Sequence, residues 1–266
     1  MASFSVVNNI ASANAQANLV VTNTGLRSAL NRLSSGLRIN NSGDDAAGLA
    51  LANGYRANVA FLNQGIRNAN DGLSTLQIKD GALNNISNLL DRLATLAAQG
   101  ASPSSGAAGT KLNDEFTSVL NEITRETAVA GLTTSSNFSV FISNDSTNGF
   151  VSGSIAAADT TTLGIVSSTV DTAANAATAV ASIATAVGLL GTSQGNVGAL
   201  QNRLQFAIGL AQSQSVNNKA AESRIRDANV AEESANMTRY NILTQSGIAA
   251  LSQANQSSSA VLSLLR

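Results

Sequence analysis

Two long stretches of this chain, residues 1–26 and 240–265, contain no Lys, Arg, Asp or Glu. The second keeps three-four spacing through Tyr240, Thr244, Gly247, Leu251, Ala254, Ser258, Val261 and Leu265, the pattern of a helix. A helix that meets water normally carries charge on its outer face. One that offers only Asn, Gln, Ser and Thr there is suited to contact with other protein on most sides. Ala, Asn and Ser bury too little apolar area to offset the entropy of ordering, so these ends are expected to be buried together and completed by assembly.

The rest of the composition points the same way. The 266 residues allow one or two domains, yet much of the 44% hydrophobic content is alanine and aromatics are only 3%. Small side chains suit long helices packed closely side by side, so an elongated chain is expected rather than a globular enzyme. With no His and no Cys, a Ser-His triad, a thiolate nucleophile, a redox disulfide and an ordinary zinc or haem site are all excluded. No metal, cofactor or catalytic residue is expected. A net charge of −1 provides no field to attract nucleic acid or anionic lipid.

The small-residue run ASANAQA, residues 11–17, has neither a basic segment nor a long apolar segment before it, so export without a cleaved Sec leader is expected. The run AVASIATAVGLL, residues 179–190, is short for a bilayer and rich in Ser, Thr and Ala, so no membrane partner is expected.

Spacing along the chain predicts long helices at both ends of the sequence. Leu26, Leu30, Leu33 and Leu37 form one stripe. Val59, Leu62, Ile66, Ala69, Leu73 and Leu76 form another, resumed by Leu83, Ile86, Leu90, Leu93 and Ala97, which predicts a helix over 46–99, roughly 80 Å long. GASPSSGAAGT, residues 100–110, ends it with the only proline, and a shorter helix over 111–130 carries Phe116, Leu120 and Ile123 on one face. Two β-rich runs around a polar turn with Asn148-Gly149 predict a hairpin over 137–155. Helical sequence resumes near residue 171, runs to about 226, and a final helix follows. The fold class is mainly α: a long helical bundle or coiled coil with paired N- and C-terminal helices and a small β-hairpin.

Four stretches carry a family resemblance: RLSSGLRINNSGDDAAGLALANGYRANV (32–59), RNANDGLSTLQIKDGALNNISNLL (67–90), GALQNRLQFAI (198–208) and NMTRYNILTQSGIAALSQANQSSSAVLSLLR (236–266). They resemble the terminal regions of bacterial flagellin, over residues 1–99 and 173–266 together, in the family's order. Only 100–172 lie between, so the chain is similar to a short form without large variable outer domains.

The resemblance implies an extracellular filament subunit, self-assembling as a helical homopolymer, exported by the flagellar type III apparatus and engaging an export chaperone, the cap and hook-associated proteins. It also implies an inner layer of antiparallel terminal helices, 1–40 with 230–266, and an outer rod over 41–229 with the hairpin. Leu19, Leu26, Leu30, Leu33, Leu251, Val261 and Leu265 are then the polymerisation residues.

DRLATLAAQ, residues 91–99, is similar to the segment by which some flagellins engage a toll-like receptor, matching at Arg92, Leu96 and Gln99. Ala94 and Thr95 stand where receptor-active members carry Arg and Glu, which implies weak activation.

Ser42, Gly43, Asp44 and Asp45 form the expected joint between layers. Paired acids can hold their pKa values apart for acid and base work, but adjacent helix positions point about 100° apart and no Lys or ligand set lies nearby in sequence. A turn over 40–43, with Ser42-x-x-Asp45 as a capping box and both acids in the first helical turn, is the simpler reading. Lys111 and Glu115 read as an i, i+4 surface pair. Asn137 and Asn144 open glycosylation sequons of the kind an Asn- and Ser-rich chain produces by chance, and the Ser/Thr-rich segment 133–172 reads as exposed surface open to O-linked glycans. Two other readings stay open at this level: a hook-filament junction component, and a carboxylate-dependent enzyme.

Overall fold

The computed structural model describes residues 8–102, 109–143 and 148–263, with side chains to residue 257 in the last segment. The elements are α1 (Ile10–Ser35), α2 (Ala46–Gly100), α3 (Gly109–Ala130), β1 (Ser136–Phe141), β2 (Phe150–Ile155), α4 (Ala173–Arg226) and α5 (Val230–Ser263). They form two compact units: Met1–Ala57 with Asn218–Arg266, and Asn58–Asn217.

The second unit is built on seams. In α4 the buried residues Ala176, Ala179, Ile183, Ala186, Leu190, Ser193, Val197, Leu200 and Leu204 step by three and four without a break, the heptad pattern that keeps one stripe facing a partner. That partner is the distal part of α2. Gln194 Nε2 donates to Asn84 Oδ1 at 3.2 Å and Ser215 Oγ to Asn63 Oδ1 at 3.3 Å, so the two helices run antiparallel. α3 lies antiparallel to α2 on another side, tied by Asn85 to Glu126 and by Lys79 to the Gly131 carbonyl. Leu76, Leu83, Ile86, Leu90, Leu93 and Phe116 fill the space between them.

Val140 and Ile155 extend this core into the hairpin, which is antiparallel with Ser136 opposite Ile155 and Phe141 opposite Phe150. The last pair stacks at 5.0 Å with the rings tilted by 56°, a favourable aromatic geometry. Asn68 Nδ2 donates to the Phe141 carbonyl at 3.2 Å and holds the hairpin against α2.

Several expectations are corrected. The helix stripe does not reach Leu37: α1 stops at Ser35 because Gly36, at φ 70°, takes the left-handed C-cap conformation. α3 starts at Gly109, two residues before 111, while Pro103 and Asn144 lie outside the described residues. Lys111 is not the partner of Glu115, because Arg92 of α2 reaches across and takes that carboxylate. The apolar stretch in α4 is also longer than 179–190 suggests. It contains an 18-residue window of mean hydropathy 1.6, long and apolar enough to cross a membrane by composition alone, because alanines extend it. One face of this helix is taken by the core of the second unit.

Candidate functional site

The first unit pairs α1 with α5. Asn9 Nδ2 donates to the Ala254 carbonyl at 3.0 Å, Ser12 Oγ to Asn255 Oδ1 at 2.9 Å, and Arg32 Nη1 to Glu233 Oε1 at 3.3 Å. Rising numbers on one helix meet falling numbers on the other, so the pair is antiparallel along most of its length. Leu19 lies over Gly247, and the Tyr240 ring lies against Gly25.

Only a narrow stripe is covered. Ala29 is 3% exposed, whereas its neighbour Leu30 is 45% exposed. Leu19, Leu26, Leu33 and Leu251 are half-buried. The stripe reading therefore needs one correction: the seam sets a large side chain against a glycine, Leu19 on Gly247 and Tyr240 on Gly25, and Leu30 points away from it. Val261 is helical with its side chain outside the described residues, and Leu265 lies outside them altogether. On the uncovered side Ile10, Val20, Val21, Ile242, Leu243 and Ile248 are all exposed, Val21 to 71%.

At the joint, the two connections lie side by side. Leu37 bridges antiparallel to Asp227, Arg38 N donates to the Arg226 carbonyl at 2.6 Å, and Ala228 N donates to the Gly36 carbonyl at 2.9 Å. Arg38 Nη2 donates to the Ile225 carbonyl, and Arg226 Nε returns a bond to the Ile39 carbonyl.

The two acids divide the work there. Asp44 Oδ2 accepts from the backbone N–H groups of Asn41 and Asn40 at 3.0 and 3.1 Å, closing the turn. Those two bonds, opposed by slight desolvation and helped by the nearby Arg32 guanidinium, hold its carboxyl below the ordinary aspartate value. Asp45 is itself the N-cap of α2, its Oδ1 accepting from Gly48 N at 2.8 Å.

This corrects the capping-box reading: Ser42 is not the cap, and no acid stands in the first turn of α2. Gly43 does not take positive φ and has open space around it, so the turn does not depend on it; Gly36 is the position that needs glycine. Arg32 was missed by sequence reading. Its guanidinium stands between Glu233 at 3.3 Å and Asp44 at 4.0 Å, partners 201 and 12 positions away.

The segment expected to meet a receptor is split by the fold. Arg92 and Gln99 are exposed, but Leu96 is 1% exposed inside the α2–α3–α4 core, so its side chain is a packing group and not a surface contact.

The helices and paired ends coincide with two family descriptions: the bacterial flagellin N-terminal helical region matches residues 6–134, and the bacterial flagellin C-terminal helical region matches residues 180–265. The chain belongs to the bacterial flagellin family. A flagellin of Halalkalibacterium halodurans is 36% identical over 269 residues, covering 97% of this chain and 98% of the relative. The flagellar filament 33 kDa core protein of Treponema phagedenis is 31% identical over 275 residues, covering 95% of this chain and 96% of that one. The crystal structure of Bacillus cereus flagellin matches 59% of this chain and 94% of its own, at 26% identity and a TM-score of 0.49, so the sequence matches carry the assignment.

As a flagellin, the protein is a structural subunit of the extracellular bacterial flagellar filament, a self-polymer and not an enzyme. The joint acids accordingly serve the turn and the helix start.

Proposed function

We propose that the α1–α5 pair is the polymerisation element of this flagellin, an inner layer of 1–40 with 230–266, and that 41–229 form the outer part of each subunit. The observation that supports this is the uncovered side of the pair. It is free of charge over 1–26 and 240–265 and exposes Val20, Val21, Ile242 and Ile248. Burying each such side chain is worth roughly 1.5–3 kcal/mol by transfer, and the contact repeats in every subunit. Leu19, Leu26 and Leu251 lie in the seam, and Leu30 faces outward to the neighbouring subunit.

Deleting residues 240–266 removes one half of the pair. The purified truncated protein, added to filament seeds, is expected to remain helical and to leave the seeds unextended. Elongation at the rate of the full chain would show that the ends are not the polymerisation element. Purified protein is used because the same segment is also proposed to carry export-chaperone binding. Export through the flagellar type III apparatus, growth under the cap and contact with hook-associated proteins belong to the same proposal. Arg92 and Gln99 are proposed as the remaining surface contacts to a toll-like receptor.

A further inference from the structure

Few contacts fix the register of the α1–α5 seam. At two places a large side chain fits a glycine of the other helix, Tyr240 on Gly25 and Leu19 on Gly247, and both lie farther from the joint than Arg32. A slip of one helical turn, about 5.4 Å, lifts both side chains off their glycines, but these fits act only once the helices already lie side by side. Burial therefore holds a register that has already formed, and does not decide which contact forms first. Among the described residues, Arg32–Glu233 is the only ion pair across the seam. Glu233 is 8% exposed, and a carboxylate so placed is costly without its partner.

Arg32 is also held from a third direction. Asp44 at 4.0 Å belongs to the 36–45 connection, which is zipped to 225–228. With those backbone bonds in place, bringing residue 32 to residue 233 closes only a short loop, whereas bringing residue 12 to residue 255 closes a much longer one. The rung nearest the joint is the one that forms at least entropic cost.

We propose that Arg32 is the positioning residue that sets the register of the terminal helix pair, forming the first rung with Glu233 while Asp44 holds its guanidinium from the joint. The remaining rungs, Tyr240 on Gly25, Leu19 on Gly247 and Asn9 with Ala254, follow outward in order. This rests on the reading of the pair as the polymerisation element.

The chain has no cysteine, so the register can be trapped without background. Full-length protein carrying Ser12→Cys with Asn255→Cys reports the native register, because those side chains touch at 2.9 Å. Ser12→Cys with Ser252→Cys reports a slip of about one turn, since a disulfide needs Cα atoms within about 7 Å. Each pair is oxidised in filaments grown from seeds, and intramolecular cross-links are counted by non-reducing gel and mass spectrometry.

With Arg32 intact, the native pair is expected to cross-link preferentially. Arg32→Gln is expected to slow elongation about tenfold and to raise the slipped cross-link. Adding Glu233→Gln to it removes the stranded carboxylate and recovers part of the rate, the signature of a coupled pair. Arg32→Lys keeps the charge and the native cross-link.

Slow elongation by Arg32→Gln with an unchanged cross-link pattern would overturn the proposal, leaving Arg32 a general stabiliser. Slipping of Arg32→Lys as far as Arg32→Gln would overturn it as well. Failure of the unsubstituted chain to extend seeds would instead remove the filament reading and this inference with it.

Discussion

The Tyr240 ring occupies the space that a side chain at Gly25 would need: a Cβ built on Gly25 falls 2.6 Å from Tyr240 Cζ. Glycine is a poor helix former, and only the antiparallel pairing of α1 with α5 gives Gly25 a use inside the helix. Gly25→Ala is therefore expected to push the helices apart or drive the ring from its place, at about 1–3 kcal/mol for overpacking. The critical concentration for filament growth, measured by sedimentation, should rise by roughly five- to a hundredfold, since about 1.4 kcal/mol is a factor of ten. An unchanged critical concentration would mean the pair is not packed this way in the filament.

The C-cap of α1 offers a sharper contrast between two glycines. Gly36 sits at φ 70°, and an L side chain there costs about 1–2 kcal/mol. Gly36→Val is expected to lower the thermal midpoint, and Gly36→Asn to be tolerated better because Asn visits this region more readily. Gly43→Ala should change stability by no more than about 0.5 kcal/mol, as ordinary surface substitutions do. Swimming speed should follow the same order.

The two joint carboxylates call for different tests. Asp45→Ala removes the N-cap of α2 at about 1 kcal/mol, and Asp45→Asn keeps the acceptor and most of the stability. Asp44 is held below the ordinary aspartate value of about 3.9 by the backbone bonds from Asn41 and Asn40. Because its folded value is the lower one, its contribution is complete above the unfolded value and is lost as pH falls through the folded value. Thermal midpoints recorded from neutral pH down to about pH 2 should decline at the acid end, with a smaller acid-end loss in Asp44→Asn. Parallel curves for the two proteins would contradict the assignment.

Long seams were legible in the sequence because they repeat. The three-four steps from Val59 to Leu76 and from Leu83 to Ala97 fixed α2 almost to the residue, since a stripe sampled many times tolerates an occasional Lys79 or Asp80. Single-residue features were not. Whether Ser42 or Asp45 caps α2 depends on whether residues 43–45 join the helix, and both are good caps. Arg32 could not be singled out, because its partners arrive from a connection and from the far end of the chain. Glu115 went to Arg92 for the same reason. Leucine is the stronger apolar signal, so spacing alone places Leu30 in the stripe, although Ala29 beside it is the residue that the seam buries.

For the receptor segment, burial separates stability from recognition. Leu96→Ala is expected to cost about 2–5 kcal/mol as a core truncation, seen as a lower melting temperature of the isolated protein. Arg92→Ala should leave stability nearly unchanged, because an ion pair with both side chains about half exposed, as with Glu115, is worth little. With Ala94 and Thr95 in place of charged side chains, a reporter-cell dose curve should lie at higher concentration than that of a strongly active flagellin. Equal potency would refute the expected weakening.

The side-by-side connections at the joint also bear on mechanics. A propeller filament transmits torque, and force drawn through the terminal helices of a subunit must leave by residues 36–45 and by 227–229. Since 36–39 and 225–228 are bonded to each other, through Arg38 with Arg226, Ala228 with Gly36 and Arg226 with Ile39, neither backbone carries the strain alone. Tension on one is shared with the other over the stretch where they are bonded. The joint is thus a doubled tether, made from two ordinary loops of a chain that has no cysteine with which to brace a single one.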